Sequence, residues 1–427
     1  MRVLICGGGV AGLTLAYWLR RRGIEPVVVE RAPHGRLGGY GIDFFGTGYD
    51  IAARMGIIDR LTPYQLPVDS VDFVDASGSA GARLTAALLD KIIQGPHLAL
   101  MHTTLEGALL DAVQDDVEVR FGETITAVRD TGQAVEIDFA GGGTERFDLL
   151  VGADGIHSRT RELGFGPEPR FARHLGCRLA SYPVPDRYGW GRVRAHYTEP
   201  GRQAVLYPTG RPGELIALFL FRSPDAAAVP RAERLDLLRS VLRGMGWITP
   251  SLLADAPASE SVFMDTMTQI VMPAWHRGRI ALVGDACGGM TMVSAQGVSM
   301  AMAGAYLLAE SLSDSRADLR ADSLSSSRAD PRADSLSSSR ADSLAAESSG
   351  HERAFIRYQT LMRGEVRRRQ RNALVFARSL VPRTRAGLLA QSLANRLIMR
   401  EAFAPVLRRQ FGAASILPPQ TADLGKD

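Results

Sequence analysis

The sequence predicts an α/β protein: a Rossmann-like parallel sheet carrying an inserted, mostly antiparallel β domain and followed by C-terminal helices. Three observations predict it. A turn with glycines at the G-x-G-x-x-G spacing (Gly7, Gly9, Gly12) joins an apolar run, Val3-Leu4-Ile5, to helical periodicity at Leu13, Leu15, Ala16 and Leu19. Two later apolar runs, Leu149-Leu150-Val151 and Ile280-Ala281-Leu282-Val283, each end in glycine and an acid, at Gly152-Ala153-Asp154-Gly155 and Gly284-Asp285-Ala286. Between them, from Phe171 to about Ile270, the chain changes to strands rich in aromatic and β-branched residues, interrupted by one amphipathic helix, Arg231 to Arg243.

The first unit is the most informative. In a strand–turn–helix of this spacing the first glycine permits the turn, the second lets a pyrophosphate approach the backbone and the third lets helix pack on strand, while the helix N-terminus offers free amides to an anion. Gly23 ends that helix, Pro26 to Val29 make a second strand, and Glu30 closes it as an acid placed to accept hydrogen bonds from a ribose diol. A glycine-dense stretch follows, Gly38-Gly39-Tyr40-Gly41-Ile42-Asp43-Phe44-Phe45-Gly46, whose composition predicts backbone packed closely against something flat or phosphorylated.

Further along, Tyr49 to Met55 reads as a helix closed by Gly56, and Val71 to Ala76 as a strand. A helix is predicted from His102 to Val113, with Thr103 or Thr104 as its cap. Four antiparallel strands in a meander are expected at 117–121, 124–129, 134–139 and 144–147. Asp154 and Asp285 both lie where doubly wound sheets bind ligands, at the C-terminal ends of parallel strands, and the helix opening at Gln296-Gly297-Val298 points partial positive charge at the same region. The aromatics of the inserted domain (Tyr182, Trp190, Tyr197, Tyr207, Phe219, Phe221) read as core residues or as walls of a substrate pocket. From these signals the parallel-sheet domain is assigned to 1–72, 96–170 and 276–312, and the inserted domain to 73–95 and 171–275. A low-complexity insertion repeating Arg-Ala-Asp-Ser-Leu-Ser-Ser-Ser, expected to be disordered, spans 313–350, and a basic helical segment 351–427.

Composition excludes several classes. The net charge of +4 over 427 residues is small, and no aromatic-interleaved basic stripe argues for nucleic acid, although the pI is about 9.1. Lysine occurs only at Lys91 and Lys426, the rest of the base being arginine. Cys6, Cys177 and Cys287 are too few and too scattered for a disulfide framework or a metal cluster, so a reducing, cytoplasmic setting is expected. Met1 runs almost directly into the first strand, and no apolar run approaches the roughly 20 residues of a membrane-spanning helix. No transmembrane segment and a monomer or homodimer are expected.

The glycine turn with Glu30, the Asp154-Gly155 segment and the Gly284-Asp285 segment, in that order and at those separations, resemble the single-component (class A) flavin-dependent monooxygenases of the p-hydroxybenzoate hydroxylase fold. The stretch Arg36 to Asp43 and the helix opening Gln296-Gly297-Val298-Ser299 look most like the branch that inactivates tetracyclines. The resemblance implies an FAD cofactor with Glu30 and Arg31 on the adenosine ribose, Asp43 approaching the flavin and Arg36 the nicotinamide donor. It further implies Asp154 near the pyrophosphate, Asp285 on the ribityl chain and the amides of Gly297 and Val298 at the flavin pyrimidine. The implied chemistry is reduction of FAD by NADPH or NADH, capture of O2 as a flavin C4a-hydroperoxide and hydroxylation of an aromatic or polyketide-like small molecule; no catalytic side chain is assigned, since the cofactor performs the difficult steps.

Three positions depart from the family pattern. His102 stands where an arginine is usual at the flavin, Cys287-Gly288 where a histidine often follows the Gly-Asp pair, and Met292 where a proline is common. Met290, Met300 and Met302 add to a thioether-rich region read as core filling. Those departures keep one rival open, a non-catalytic flavin- or ligand-binding module; a second is a flavoprotein of the same fold with halogenating or reducing chemistry, the tryptophan-rich motif typical of flavin halogenases being absent. After Phe411 no room is expected for the thioredoxin-like domain that many polyketide hydroxylases append.

Overall fold

A computed structural model describes residues 1–33, 40–291, 296–326, 350–411 and 415–417. The N-terminal run folds as predicted: Arg2–Cys6 is the inner strand of a six-stranded sheet, between Leu149–Gly152 and Glu25–Glu30 and parallel to both. Ile5 sits opposite Val151 on one side and Val28 on the other, all three fully buried, as expected of strands covered on both faces. Ile280–Leu282 continues the sheet beyond Leu149–Gly152, so the Gly7, Asp154 and Asp285 turns leave three adjacent parallel strands at the same edge. Helix α1 (Val10–Arg21) starts directly after Gly9 and buries Leu13, Leu15, Ala16 and Leu19, the residues that carried its periodicity.

The predicted four-strand meander is corrected. Only Ile125–Asp130, Val135–Phe139 and Thr144–Phe147 form it. Glu118–Phe121 follows helix α2 (His102–Asp111) and returns parallel to Glu25–Glu30, as a strand after a crossover helix does. Neither Thr103 nor Thr104 caps α2; it begins at His102 itself, with Met101 as N-cap.

The second domain is a seven-stranded sheet ordered Phe263–Ile270, Ala172–Pro185, Glu214–Arg222, Arg202–Pro208, Val193–Glu199, Ser70–Val74, Ala80–Thr85. Its strand Ser70–Val74 begins inside the span assigned from sequence to the first domain. The two faces of this sheet differ. Tyr182, Tyr197, Phe219 and Phe221 point to the back, where they pack with Leu235, Leu238, Leu242 and Leu252, and Trp190 packs against the same cluster. The front face, with Leu179, Val205, Leu218 and Tyr207, turns toward the first domain, where Tyr40 meets it. Most of the aromatics are therefore core, and Tyr207 is the one on the inward face.

Helix α3 (Arg159–Phe165) follows the Asp154 turn, and helix α4 (Gly297–Ser326) runs on well past the expected start of the disordered insertion. Residues 313–326 are helix because an established helix propagates cheaply and its next turn finds partners. Ser315 is buried, Asp314 pairs with Arg357, and Arg316 donates to the Gly23 carbonyl. The rest of that insertion lies outside the described residues. Helix α5 (Gly350–Leu380) packs along α4, and helix α6 (Arg385–Ile398) lies over the outer strands of the second sheet, held to the end of α5 by Gln391 donating to the Ser379 carbonyl.

Candidate functional site

The glycine turn is shaped by contact. Gly7 has φ +111°, and a Cβ there would stand 2.4 Å from the Ala153 carbonyl oxygen; a Cβ at Gly12 would stand 1.9 Å from the Gly7 carbonyl oxygen. No other residue allows strand, turn and helix to approach this closely. Glu30 is buried behind the turn, with one carboxylate oxygen accepting from the Gly8 amide at 2.8 Å and the other from Ala32 at 2.8 Å. Arg31 beside it is exposed.

Beyond Gly9 the cleft continues through residues the sequence reading did not select. A Cβ on Gly9 would lie 3.3 Å from Glu106 Oε1, and Glu106 pairs with His102 Nδ1 at 3.5 Å across one turn of α2. His102 also donates its backbone amide to the Tyr40 carbonyl, and the two rings lie 5.6 Å apart. Burial and the charges of Asp285 and Glu106 push the Tyr40 phenol well up, which keeps it a neutral donor. The signal for Glu106 was present as an i, i+4 His–Glu pair at the start of a helix; Tyr40 stood unweighted among the glycines.

The two acid turns have different fates. Asp154 accepts from the Ser158 hydroxyl, from the Thr160 amide at 2.8 Å and from the Thr160 hydroxyl at 3.0 Å, and Ser158 in turn caps α3 through the Arg161 amide. Its carboxylate thus organises its own turn; what it presents to the Gly7 turn is backbone, since Asp154 Cα would lie 2.8 Å from a Gly7 Cβ. Asp285 makes no hydrogen bond among the described residues. It retains accessible surface at the bottom of a recess, where crowding by protein pushes its carboxyl up and nearby His102 opposes the shift. Arg161, fully buried, ties both turns together, donating to the Ala286 carbonyl at 3.0 Å, the Ile156 carbonyl at 2.7 Å and Glu168 at 2.7 Å.

Gly297 opens α4 beside Asp285, with nothing within 4 Å of where a Cβ would be. Ser299 anchors that end by donating to the Phe45 carbonyl, and Gln296 is held by Arg369 of α5. Met290, Met300 and Met302 are core, as read from sequence, and Cys287 packs in the same cluster. Arg36 and Met292 lie outside the described residues.

Asp43 carries an ion pair to the second sheet. Its carboxylate is clasped by both terminal nitrogens of Arg194, at 2.9 and 3.1 Å, from a strand of the second sheet. Burial alone would raise this carboxyl; the guanidinium outweighs burial and holds it below the usual range. The Arg194 guanidinium also lies 4.8 Å above the centre of the Tyr207 ring. Next to it His196, between Phe73 and Tyr207, has its pKa driven down to about 3 by burial and then by Arg194, so it is a neutral imidazole. The roof over the cleft is therefore aromatic and charge-balanced.

A glycine turn backed by Glu30, the accessible Asp285 at the same sheet edge, without a hydrogen bond among the described residues, and the start of α4 beside it fit an extended dinucleotide with a flat ring, the pattern of a flavoprotein oxidoreductase. The family model described as FAD binding domain matches residues 1–331, and the chain belongs to that family, that of the flavin-dependent monooxygenases of p-hydroxybenzoate hydroxylase fold. A flavin-dependent monooxygenase of Legionella longbeachae is 32% identical over 321 residues, covering 73% of this chain and 80% of that protein. An uncharacterized protein of Mycobacterium tuberculosis is 33% identical over 320 residues, covering 74% and 86%. Among solved structures, the tetracycline destructase Tet(51) superposes with a TM-score of 0.74 at 26% identity, over 95% of this chain and 98% of that one.

Proposed function

We propose that this protein uses NADPH or NADH and O2 to hydroxylate an aromatic or polyketide-like small molecule, acting in the cytoplasm as a monomer or homodimer. The observation that carries the reading is the accessible Asp285 carboxylate, without a hydrogen bond among the described residues, at the same sheet edge as the Gly7–Gly12 turn and beside Gly297 at the start of α4. Bound FAD supplies the two-electron reduction by a nicotinamide and the activation of O2. Glu30 and Arg31 would hold the adenosine ribose, its carboxylate already oriented by the Gly8 and Ala32 amides. Asp285 would accept from ribityl hydroxyls, and the α4 N-terminus would stabilise negative charge developing on the flat ring. In this reading Asp43 acts at one remove, by neutralising Arg194, and Asp154 supports the pyrophosphate segment through its backbone turn. The neutral roof of Tyr207, Phe73 and His196 would exclude water above the ring and accept an uncharged polycyclic substrate.

The test is spectroscopic and then chemical. The purified protein should show an oxidised-flavin spectrum that bleaches with NADPH or NADH without oxygen and returns in air. With aromatic and polyketide compounds present, nicotinamide oxidation should accelerate and mass spectrometry should find a product with one added oxygen atom. A colourless protein that cannot be reconstituted with FAD would sink the proposal. Nicotinamide oxidation that no compound accelerates, or product without added oxygen, would favour the binding module or the non-hydroxylating flavoprotein instead.

A further inference from the structure

Helix α6 is turned inside out. Leu389, Leu393 and Leu397 recur every four residues and so share one face, and they are 72%, 69% and 48% exposed. At 100° per residue, Arg385, Ala386, Leu389, Ala390, Leu393, Arg396 and Leu397 fall within one arc, and all of them are exposed. The opposite side, with Gln391, Ala394, Asn395 and Ile398, is the half-buried one, and Ile398 packs toward Leu88 and Ile92 of the second domain. An ordinary surface helix buries its leucines and exposes its polar residues. Here the apolar stripe faces outward with an arginine along its flank.

The C-terminal segment that carries this stripe is strongly basic. Residues 351–411 hold fourteen arginines against three glutamates, an excess larger than the whole chain's +4, so the remainder of the protein is net acidic. Arg383, Arg385, Arg396 and Arg400, on and beside α6, are exposed, as are Arg367, Arg368 and Arg371 on α5. No helix among the described residues is long and apolar enough to cross a membrane. Three outward leucines edged by arginines are the pattern of a helix lying in the plane of a lipid interface, where the leucines enter the acyl boundary and long cationic side chains reach the headgroups. A second copy of the chain is disfavoured as occupant, because joining two such faces would bring two strongly basic segments together.

We propose that α6 is the docking surface of this protein for an anionic phospholipid membrane, with Leu389, Leu393 and Leu397 inserted and Arg385 and Arg396 on the headgroups. The surface is separate from the cofactor cleft, so the proposal stands whether or not the hydroxylase reading does. Flotation of the full-length purified protein with vesicles of phosphatidylcholine, alone or mixed with phosphatidylglycerol, tests it. The protein should float with the anionic vesicles only, and high salt should weaken the association. The triple change Leu389→Ser, Leu393→Ser, Leu397→Ser should cut the vesicle-bound fraction by about tenfold or more, and Arg385→Gln with Arg396→Gln should flatten the salt dependence. Because the leucines are exposed, the triple variant should melt at the wild-type temperature. Absence of flotation, or equal flotation with neutral vesicles, overturns the proposal. So does a lowered melting temperature in the triple variant, which would mean that the stripe is packed within the fold. A wild-type dimer by analytical ultracentrifugation that the triple change converts to monomer would assign the face to a second copy instead.

Discussion

The turns at Asp154 and Asp285 begin alike and end differently. Each follows an apolar parallel strand, each places an aspartate one or two residues after a glycine, and both leave the same edge of the sheet. Asp154 is enclosed by its own sequence, since Ser158 and Thr160 supply two hydroxyls and an amide, and the carboxylate ends as the organiser of a helix start. After Asp285 come Ala286, Cys287 and Gly288, with Gly289 standing where Ser158 stands relative to Asp154. Thr291, at the position equivalent to Thr160, has φ +71° and opens no helix. Among the described residues no local donor reaches the Asp285 carboxylate, so under the proposed function its lone pairs are left for a ligand.

The largest expected effect comes from Arg161, which joins the two turns. Arg161→Ala removes three hydrogen bonds made by a fully buried guanidinium, and each buried acceptor left unpaired costs about 1–3 kcal/mol. Urea unfolding should show that loss, and the surviving folded protein should retain less FAD, since the Ala286 carbonyl anchors the Asp285 turn. Unchanged stability would mean that the two turns are independent.

Replacing the acids one at a time should then separate their roles. Asp154→Ala should lower unfolding free energy by about 2–3 kcal/mol, because it strips the donors of Ser158 and Thr160 of a charged acceptor. Asp285→Ala should leave the stability of the flavin-free protein unchanged or slightly raised, because it removes a carboxylate that makes no hydrogen bond among the described residues and whose charged form its surroundings disfavour. Its cost should fall on FAD affinity, by about tenfold or more as measured by fluorescence titration. If Asp154→Ala weakened FAD without a stability loss, or Asp285→Ala destabilised the flavin-free fold, the comparison would be reversed.

Much of this was legible in the sequence, for physical reasons. The glycine turn, Glu30 and the apolar strands announce themselves because their constraints are local: a positive φ, a close backbone approach, a period. Asp43 and Asp154 were not legible as they are. Asp43 is held by Arg194, distant along the chain and reached only once the second sheet folds over the first. For Asp154 the competing donors lay within six residues, and a capping argument applied to Ser158 would have found them. Glu106 and Tyr40 join the site through helix α2 and one short strand, and their contacts with the glycine turn and with Asp285 depend on tertiary placement. The continuation of α4 to Ser326 likewise rested on contacts with Gly23 and Arg357 that composition does not reveal.

The smallest expected effect sharpens what the Asp154 turn does for the whole molecule. His157, within that turn, bridges to Asp265 of the second sheet at 3.2 Å and to Glu168 at 3.0 Å, and these hydrogen bonds push its pKa up to about 10. It is therefore an imidazolium at neutral pH and links the two domains by charge, whereas the Asp285 turn reaches the same strand through backbone, Gly289 accepting from the Ile270 amide at 3.1 Å. A histidine whose pKa is higher folded than unfolded adds stability that is complete below about pH 6.5, declines as pH rises and is gone above about pH 10. Because His157 is half exposed, the contribution is screened and modest. Urea midpoints should thus fall more steeply between neutral pH and pH 10 in the wild type than in His157→Gln, and added salt should narrow the difference. At acid pH the sign reverses at another residue: His196, with its pKa near 3, must take up a proton on unfolding, so stability should decline as pH falls below about 6.5. That acid limb should persist in His157→Gln. If instead the substitution flattened the acid limb and left the alkaline one intact, the charge bridge between the turn and the second sheet would be disproved.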